Sequence, residues 1–322
     1  LIYVLQYQNK LSPSFLCVAT GMNIPVVQRI SDYGHICANQ LFYNFKLKSV
    51  CEKCLVGSKI NAIRYSCVYN SAIYSFIKVL AQKLHDIIGI KDKIDAFVVP
   101  SKFTISKFIE SGFSGSKLKH IPSFYLNHET ISLKDINFGD YALYIGRVEE
   151  EKGVMTLVKA FEGSEMPLKI AGISSNGFDK KVRDYLKDKV HRIEFLGGQS
   201  TENVRQLLYN CTFTVCPSEC YDNFPNSVIE SFAFMKPVIS SNIGSLTELV
   251  GHEQTGLLFD PGDHEALRAC CGRLFTNREE LEKMGKAARA RLDEEFSEDK
   301  HYNLLISLFS SLTGQSPEHN LS

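Results

Sequence analysis

The sequence predicts an α/β fold in two domains, and three observations carry that expectation. From residue 141 onward, short apolar runs alternate with amphipathic helical stretches. Those runs are rich in Val, Ile, Leu and Phe with little polar alternation, as strands of a parallel sheet covered on both faces are. The chain has 322 residues, more than the roughly 250 to 300 at which a single core usually stops growing.

The strands of the second half are expected at 141–146, 167–172, 193–197, 212–216, 237–240 and 256–259, with the first helix at 154–161. Ligands of such sheets bind beyond the carboxyl ends of the strands, where Arg147, Asp222 and Gly244 fall. The front half offers strands at 2–6, 25–29, 95–99 and 117–121. These are few for a complete layer, and the chain opens without Met in a strand, so the first domain is expected to be incomplete. The segment 122–140, with Pro122, Asn127, Asn137 and Gly139, reads as the interdomain connection. Expected boundaries are therefore 1–127 for the first domain, 128–296 for the second, and 297–322 for a terminal helix and tail.

Apolar residues make up 44% of the chain and charged ones 22%, ordinary proportions for a globular protein. The zero net charge hides an asymmetry: residues 1–127 carry 15 Lys+Arg against 6 Asp+Glu, and residues 128–322 carry 21 against 30. A basic front half suits an anionic partner such as a membrane surface or a lipid-phosphate acceptor, and equally suits a domain kept soluble by lysines. No apolar run is long enough to span a bilayer. Ten cysteines are too dilute for a disulfide scaffold, so reduced thiols and a cytoplasmic location are expected, with the inner face of a membrane as a further option.

Two segments carry chemistry. Gly146-Arg147-Val-Glu-Glu-Glu-Lys152-Gly153 follows a strand and precedes a helix. Arginine offers a planar fork for phosphate oxygens and lysine a compact charge, so the pair suits a diphosphate. The plainer reading is a wet turn in which Glu149, Glu150 and Glu151 pair with Lys152. The second segment, Pro217 to Glu230, places Asp222 just before an expected helix and Glu230 about two turns inside it. Carboxylates there can accept hydrogen bonds from hydroxyls, while the N–H groups of Asn226, Ser227 and Val228 at the helix start face an anion. Pro225 suits a first helical turn, where no N–H is needed. A sugar nucleotide offers both hydroxyls and an anion.

The Asp222-x7-Glu230 segment resembles the Glu-x7-Glu signature of retaining, nucleotide-sugar-dependent glycosyltransferases of the GT-B fold, the glycosyl transferases group 1 or family four, with Asp replacing the first Glu. Gly146 to Gly153 resembles that family's GRxxxEKG loop, Gly244-Ser-Leu-Thr-Glu248 its Gly-Gly-x-Pro-Glu turn, and Thr255-Gly256-Leu-Leu its Thr-Gly-Leu-Leu strand. The resemblance implies two Rossmann-like domains facing a cleft. It implies that Arg147 and Lys152 bind the donor diphosphate, that Asp222 meets the transferred sugar, and that Glu230 meets the ribose. Phe195-Leu-Gly197 resembles the loop holding the base. The implied donor is a nucleoside diphosphate sugar and the acceptor a glycan or a lipid-linked hydroxyl, in surface polysaccharide or glycolipid synthesis. No metal and no cofactor besides the donor are implied, and no nucleic-acid partner is expected.

In the first half, Ser31 stands before Asp32-Tyr33 where the family commonly has His-Asp. Ser31 substitutes for that histidine, His35 reaches in, or the site is weakened; His35 also reads as a plain hydrogen-bonded loop residue. Cys37, Cys51, Cys54 and Cys67, at x13, x2 and x12 spacing, read either as four ordinary thiols or as a structural zinc site. The helix expected over 66–90 carries Ile73, Phe76, Ile77, Leu80, Leu84, Ile87 and Ile88 at helical spacing. That stripe is expected to face a protein core, with a membrane interface as the alternative. Rival functions are a sugar-nucleotide epimerase or phosphorylase, and a protein that binds sugar nucleotide without transfer. A dinucleotide oxidoreductase is disfavoured, since no Gly-x-Gly-x-x-Gly links a strand to a helix.

Overall fold

The computed structural model describes residues 1–5, 12–126 and 137–314. The chain divides into two compact units, Leu1–Ser123 with Glu298–Ser322, and Phe124–Ser297. Part of the connection expected at 122–140, and the tail after 314, lie outside the described residues.

The first unit holds strands β1 (Ile2–Val4), β2 (Val26–Arg29), β3 (Tyr43–Asn44), β4 (Ser49–Val50), β5 (Ala96–Val99) and β6 (Leu118–His120). Four of them form a parallel sheet ordered β1-β2-β5-β6, while β3 and β4 make a separate antiparallel hairpin. The terminal helix Glu298–Thr313 packs through Leu305, Leu308, Phe309 and Leu312 onto Val27, Ala96 and Val98 of this sheet. Apolar residues of strand and helix thus bury each other, and the end of the chain belongs to the unit that holds its beginning.

The second unit holds β7 (Ala142–Ile145), β8 (Leu168–Ala171), β9 (Ile193–Gly197), β10 (Phe213–Cys216), β11 (Val238–Ser241) and β12 (Gly256–Phe259). All are parallel, in the order β12-β11-β10-β7-β8-β9. Chain order runs outward from β7 on one side and from β10 on the other, so the β7/β10 boundary is the topological switch point where such sheets open a crevice. Two buried apolar clusters cover the faces, one built on Leu157, Val158, Phe161 and Val182, the other on Val228, Ile229, Phe232 and Leu292.

Two expectations for the first unit are corrected. The helix read over 66–90 runs only over Ala72–Ile87, because Ser71 is extended and its hydroxyl caps the N–H of Tyr74. Its apolar stripe does not face a core: Ile73, Phe76, Ile77, Leu80, Leu84, Ile87 and Ile88 are all exposed. His35 is the hydrogen-bonded histidine of the plainer reading. Its ring packs edge-on against Phe97, Phe108 and Phe113, its Nε2 lies 3.0 Å from Gln28 Nε2, and burial pulls its pKa down to about 4.

Candidate active site

The turn after β7 is built by close backbone approach. Gly153 has φ +67°, and a Cβ on it would lie 1.8 Å from the carbonyl oxygen of Pro217, so only glycine lets this turn meet the loop after β10. The helix Val154–Phe161 starts there and buries Val154, Leu157, Val158 and Phe161. The turn is therefore fixed at both ends, and its charges project at the switch point.

Those charges are not arranged as a wet turn. Glu149 and Glu151 are 1% and 3% exposed. Glu149 Oε1 accepts from the N–H and the hydroxyl of Ser175, both at 2.7 Å, which ties the turn to the loop after β8. Glu151 Oε1 pairs with Arg147 Nη2 at 3.3 Å, and burial lifts its pKa. Lys152 pairs with none of the three glutamates expected to take it. Its Nζ binds Asp222 Oδ1 instead. Burial by itself would lower the pKa of this ammonium, but the charge and hydrogen bond of Asp222 raise it on balance.

Asp222 is held from three sides. Besides Lys152, its Oδ2 accepts from the hydroxyl of Ser218 at 2.5 Å, and its carbonyl accepts from Ser245 Oγ at 2.6 Å. Ser245 follows Gly244, whose φ of +55° turns the chain after β11, so the Gly244 segment braces the acid. Cys220, fully buried, sits in the combined field of Asp222, Lys152, Glu151 and Arg147. The structure thus brings together Arg147, Lys152 and Asp222, which come from two separate stretches of sequence.

Glu230 belongs to a neighbouring cleft of about 490 Å³, lined also by Ile145, Asn226, Gln199, Arg205 and Tyr125. Ile145 is the last residue of β7 and precedes Gly146, so the cleft adjoins the cationic turn. The helix that carries Glu230 spans Asn226–Ala233, which puts Glu230 in its fifth position, nearer its start than expected. Pro225 precedes that helix as its cap. Ser231 pins the helix to β10, donating to Ser227 O at 2.5 Å and accepting from Thr214 Oγ1 at 2.7 Å. Burial raises the pKa of Glu230. Of the three N–H groups expected to face an anion, that of Val228 is occupied, donating to Pro225 O at 3.1 Å.

Sequence reasoning missed Arg205. It lies on the helix Thr201–Asn210, hydrogen-bonds the Tyr125 hydroxyl and faces the same cleft as Glu230. Thr201, Val204, Arg205 and Leu208 follow i, i+3, i+4, i+7 spacing, and a cation inside that otherwise inward stripe was the available signal. Among the described residues, no group of three or more His, Cys, Asp or Glu side chains is arranged to hold a metal ion. Cys37, Cys51, Cys54 and Cys67 form no disulfide.

Comparison with known proteins bears on the same region. Residues 137–291 match the family glycosyl transferases group 1. The matched span contains Arg147, Lys152, Arg205, Asp222 and Glu230, while Tyr125 lies before it. An uncharacterized glycosyltransferase of Methanocaldococcus jannaschii is 29% identical over 167 residues, covering 52% of this chain and 46% of that protein. The O-antigen chain mannosyltransferase C of Escherichia coli is 26% identical over 176 residues, covering 54% of this chain and 47% of the relative. The chain therefore spans about half the length of the curated relatives it matches. In fold it is similar to the Anabaena HepE protein, solved in complex with UDP, with a TM-score of 0.70 at 16% identity over 96% of this chain and 79% of that one. The fold is α/β with parallel sheets, that of the GT-B glycosyltransferases.

Proposed function

We propose that the chain is a retaining glycosyltransferase, moving a sugar from a nucleoside diphosphate sugar to an acceptor hydroxyl in surface polysaccharide or glycolipid synthesis. The observation that carries this reading is the convergence of Arg147, Lys152 and Asp222 at the switch point of the group 1 domain, beside the cleft of Glu230. In that arrangement Glu230 accepts from ribose hydroxyls and Arg205 adds positive charge to the same cleft. The departing diphosphate gathers negative charge as its bond to the sugar breaks. Arg147, half exposed and held from one side by Glu151, and Lys152, kept charged by Asp222, are fixed cations that neutralise it without reorganising. This reading assigns no step to a metal ion.

In this reading Asp222 meets the sugar through its carboxylate. Aspartate is one methylene shorter than glutamate, so its contact is closer or passes through water. The O-antigen relative and the UDP-bound fold relative support a polysaccharide pathway and a uridine donor.

The test is incubation of the purified chain with UDP-, GDP- and ADP-sugars plus membrane extract, following nucleotide release and labelled product together. Release coupled to a labelled glycan or glycolipid is expected. Binding of a donor without release would favour the non-transferring reading, and a changed sugar nucleotide without acceptor would favour the epimerase.

A further inference from the structure

The helix Ala72–Ile87 turns its apolar side away from the protein. Its packed side is Ser75, Val79 and Gln82, and two of these three are polar. Ser75 Oγ donates to Ser71 O at 2.7 Å and accepts from the N–H of Val68 at 3.0 Å, while Gln82 Nε2 donates to Gly34 O at 2.9 Å. The helix is thus moored to its unit by the Gln82 hydrogen bond and by Val79, which packs with Ala38 and Ala62. On the opposite side Ile73, Phe76, Ile77, Leu80, Leu84 and Ile87 follow helical spacing, and all are exposed, Ile73 by 71% and Ile87 by 78%. Tyr69, 86% exposed, stacks edge-on with Tyr74 at the start of the same helix.

A contiguous apolar stripe of this size marks an interaction surface. Its charge surroundings say of what kind. Residues 46–93 carry nine Lys and Arg against three Asp and Glu, including Lys78 and Lys83 on the helix and Lys91 and Lys93 just after it. A second copy of the chain would bring an equally basic surface against this one, and like charges repel. A layer of anionic headgroups over acyl chains supplies both the negative charge and the apolar boundary. No helix among the described residues is long and apolar enough to cross a membrane, so the contact is in-plane. Tyrosines at one end suit the headgroup level, where an apolar ring and a polar tip are both satisfied.

We infer that the Ile73–Phe76–Ile77–Leu80–Leu84–Ile87 face lies in the interface of an anionic lipid bilayer, held there by the surrounding lysines. The inference stands independently of the transfer reaction, and its test uses no sugar donor.

The chain has no tryptophan, so Ile77→Trp on the exposed face gives a single reporter. With vesicles of equal phosphatidylcholine and phosphatidylglycerol, its emission should shift to the blue and the wild-type chain should co-sediment. With phosphatidylcholine alone, or at high salt, binding should fall. The variant Phe76→Ser/Ile77→Ser/Leu84→Ser, altered only at exposed positions, should keep the circular dichroism of the wild type and bind the mixed vesicles roughly tenfold or more weaker. Unshifted Trp emission on mixed vesicles, or a serine variant that binds as well as wild type, would overturn the inference. So would a concentration-dependent dimer that the serine variant abolishes.

Discussion

Lys152 and Asp222 form an ion pair across the switch point of the second sheet, joining the turn after β7 to the loop after β10. Both side chains are mostly enclosed, at 18% and 13% exposure. Asp222→Ala leaves an enclosed ammonium without its counter-charge, a loss of about 3 to 5 kcal/mol of stability. Denaturant unfolding of the second unit should show a lowered midpoint. The double variant Asp222→Ala/Lys152→Met should recover much of that stability while leaving turnover abolished.

Arg147 is the complementary case. Its side chain is 51% exposed and pairs with the enclosed Glu151, so it contributes less to stability than the doubly enclosed Lys152–Asp222 pair. Its loss in the transition state removes about 1.5 to 3 kcal/mol per charged hydrogen bond, hence at least roughly tenfold in turnover. Arg147→Ala, which takes the counter-charge from the enclosed Glu151, should lower the unfolding midpoint less than Asp222→Ala does and should release nucleotide far more slowly. Unchanged kinetics would remove Arg147 from the site.

Burial holds the Glu230 carboxyl above the ordinary glutamate range. Donor binding that uses its carboxylate should therefore weaken on acidification starting at a higher pH than a solvent-exposed glutamate would give. Glu230→Gln should bind more weakly and lose that acid limb. The stability sign is opposite: the folded state holds this proton to higher pH than the unfolded chain, so stability falls as pH rises from the unfolded to the folded pKa. Calorimetric titration of nucleotide against pH checks the first statement, and unfolding midpoints across the same window check the second.

Gly153 combines a left-handed backbone with the 1.8 Å approach of Pro217 O to any added Cβ. Gly153→Ala should destabilise the second unit by more than the about 1 kcal/mol of the conformation alone, because backbone must move. It should also lower turnover by displacing Lys152. A variant with wild-type melting temperature and kinetics would show that the turn relaxes freely.

Much of this was legible before any coordinates. Among the described residues ten strands make up the two parallel sheets, and each overlaps the apolar run that predicted it. The spacing from Asp222 to Glu230 marked the site loop and its helix, because a short-range motif is local in sequence and in space. Arg205 was not legible: it stands in an ordinary helical stretch, and only packing shows that its side of the helix meets the cleft of Glu230.

The sequence by itself determined where the strands of the two parallel sheets lie, that a cationic turn follows β7, and that the helix read over 66–90 has one apolar side. Periodicity encodes such features because they depend on neighbours three or four residues away. Tertiary structure alone decided that Lys152 takes Asp222, seventy positions distant, rather than the adjacent glutamates. It also decided that the apolar side of the Ala72 helix faces outward. A pattern says which side is apolar; the hydrogen bonds of Ser75 and Gln82 fix which way that side is turned.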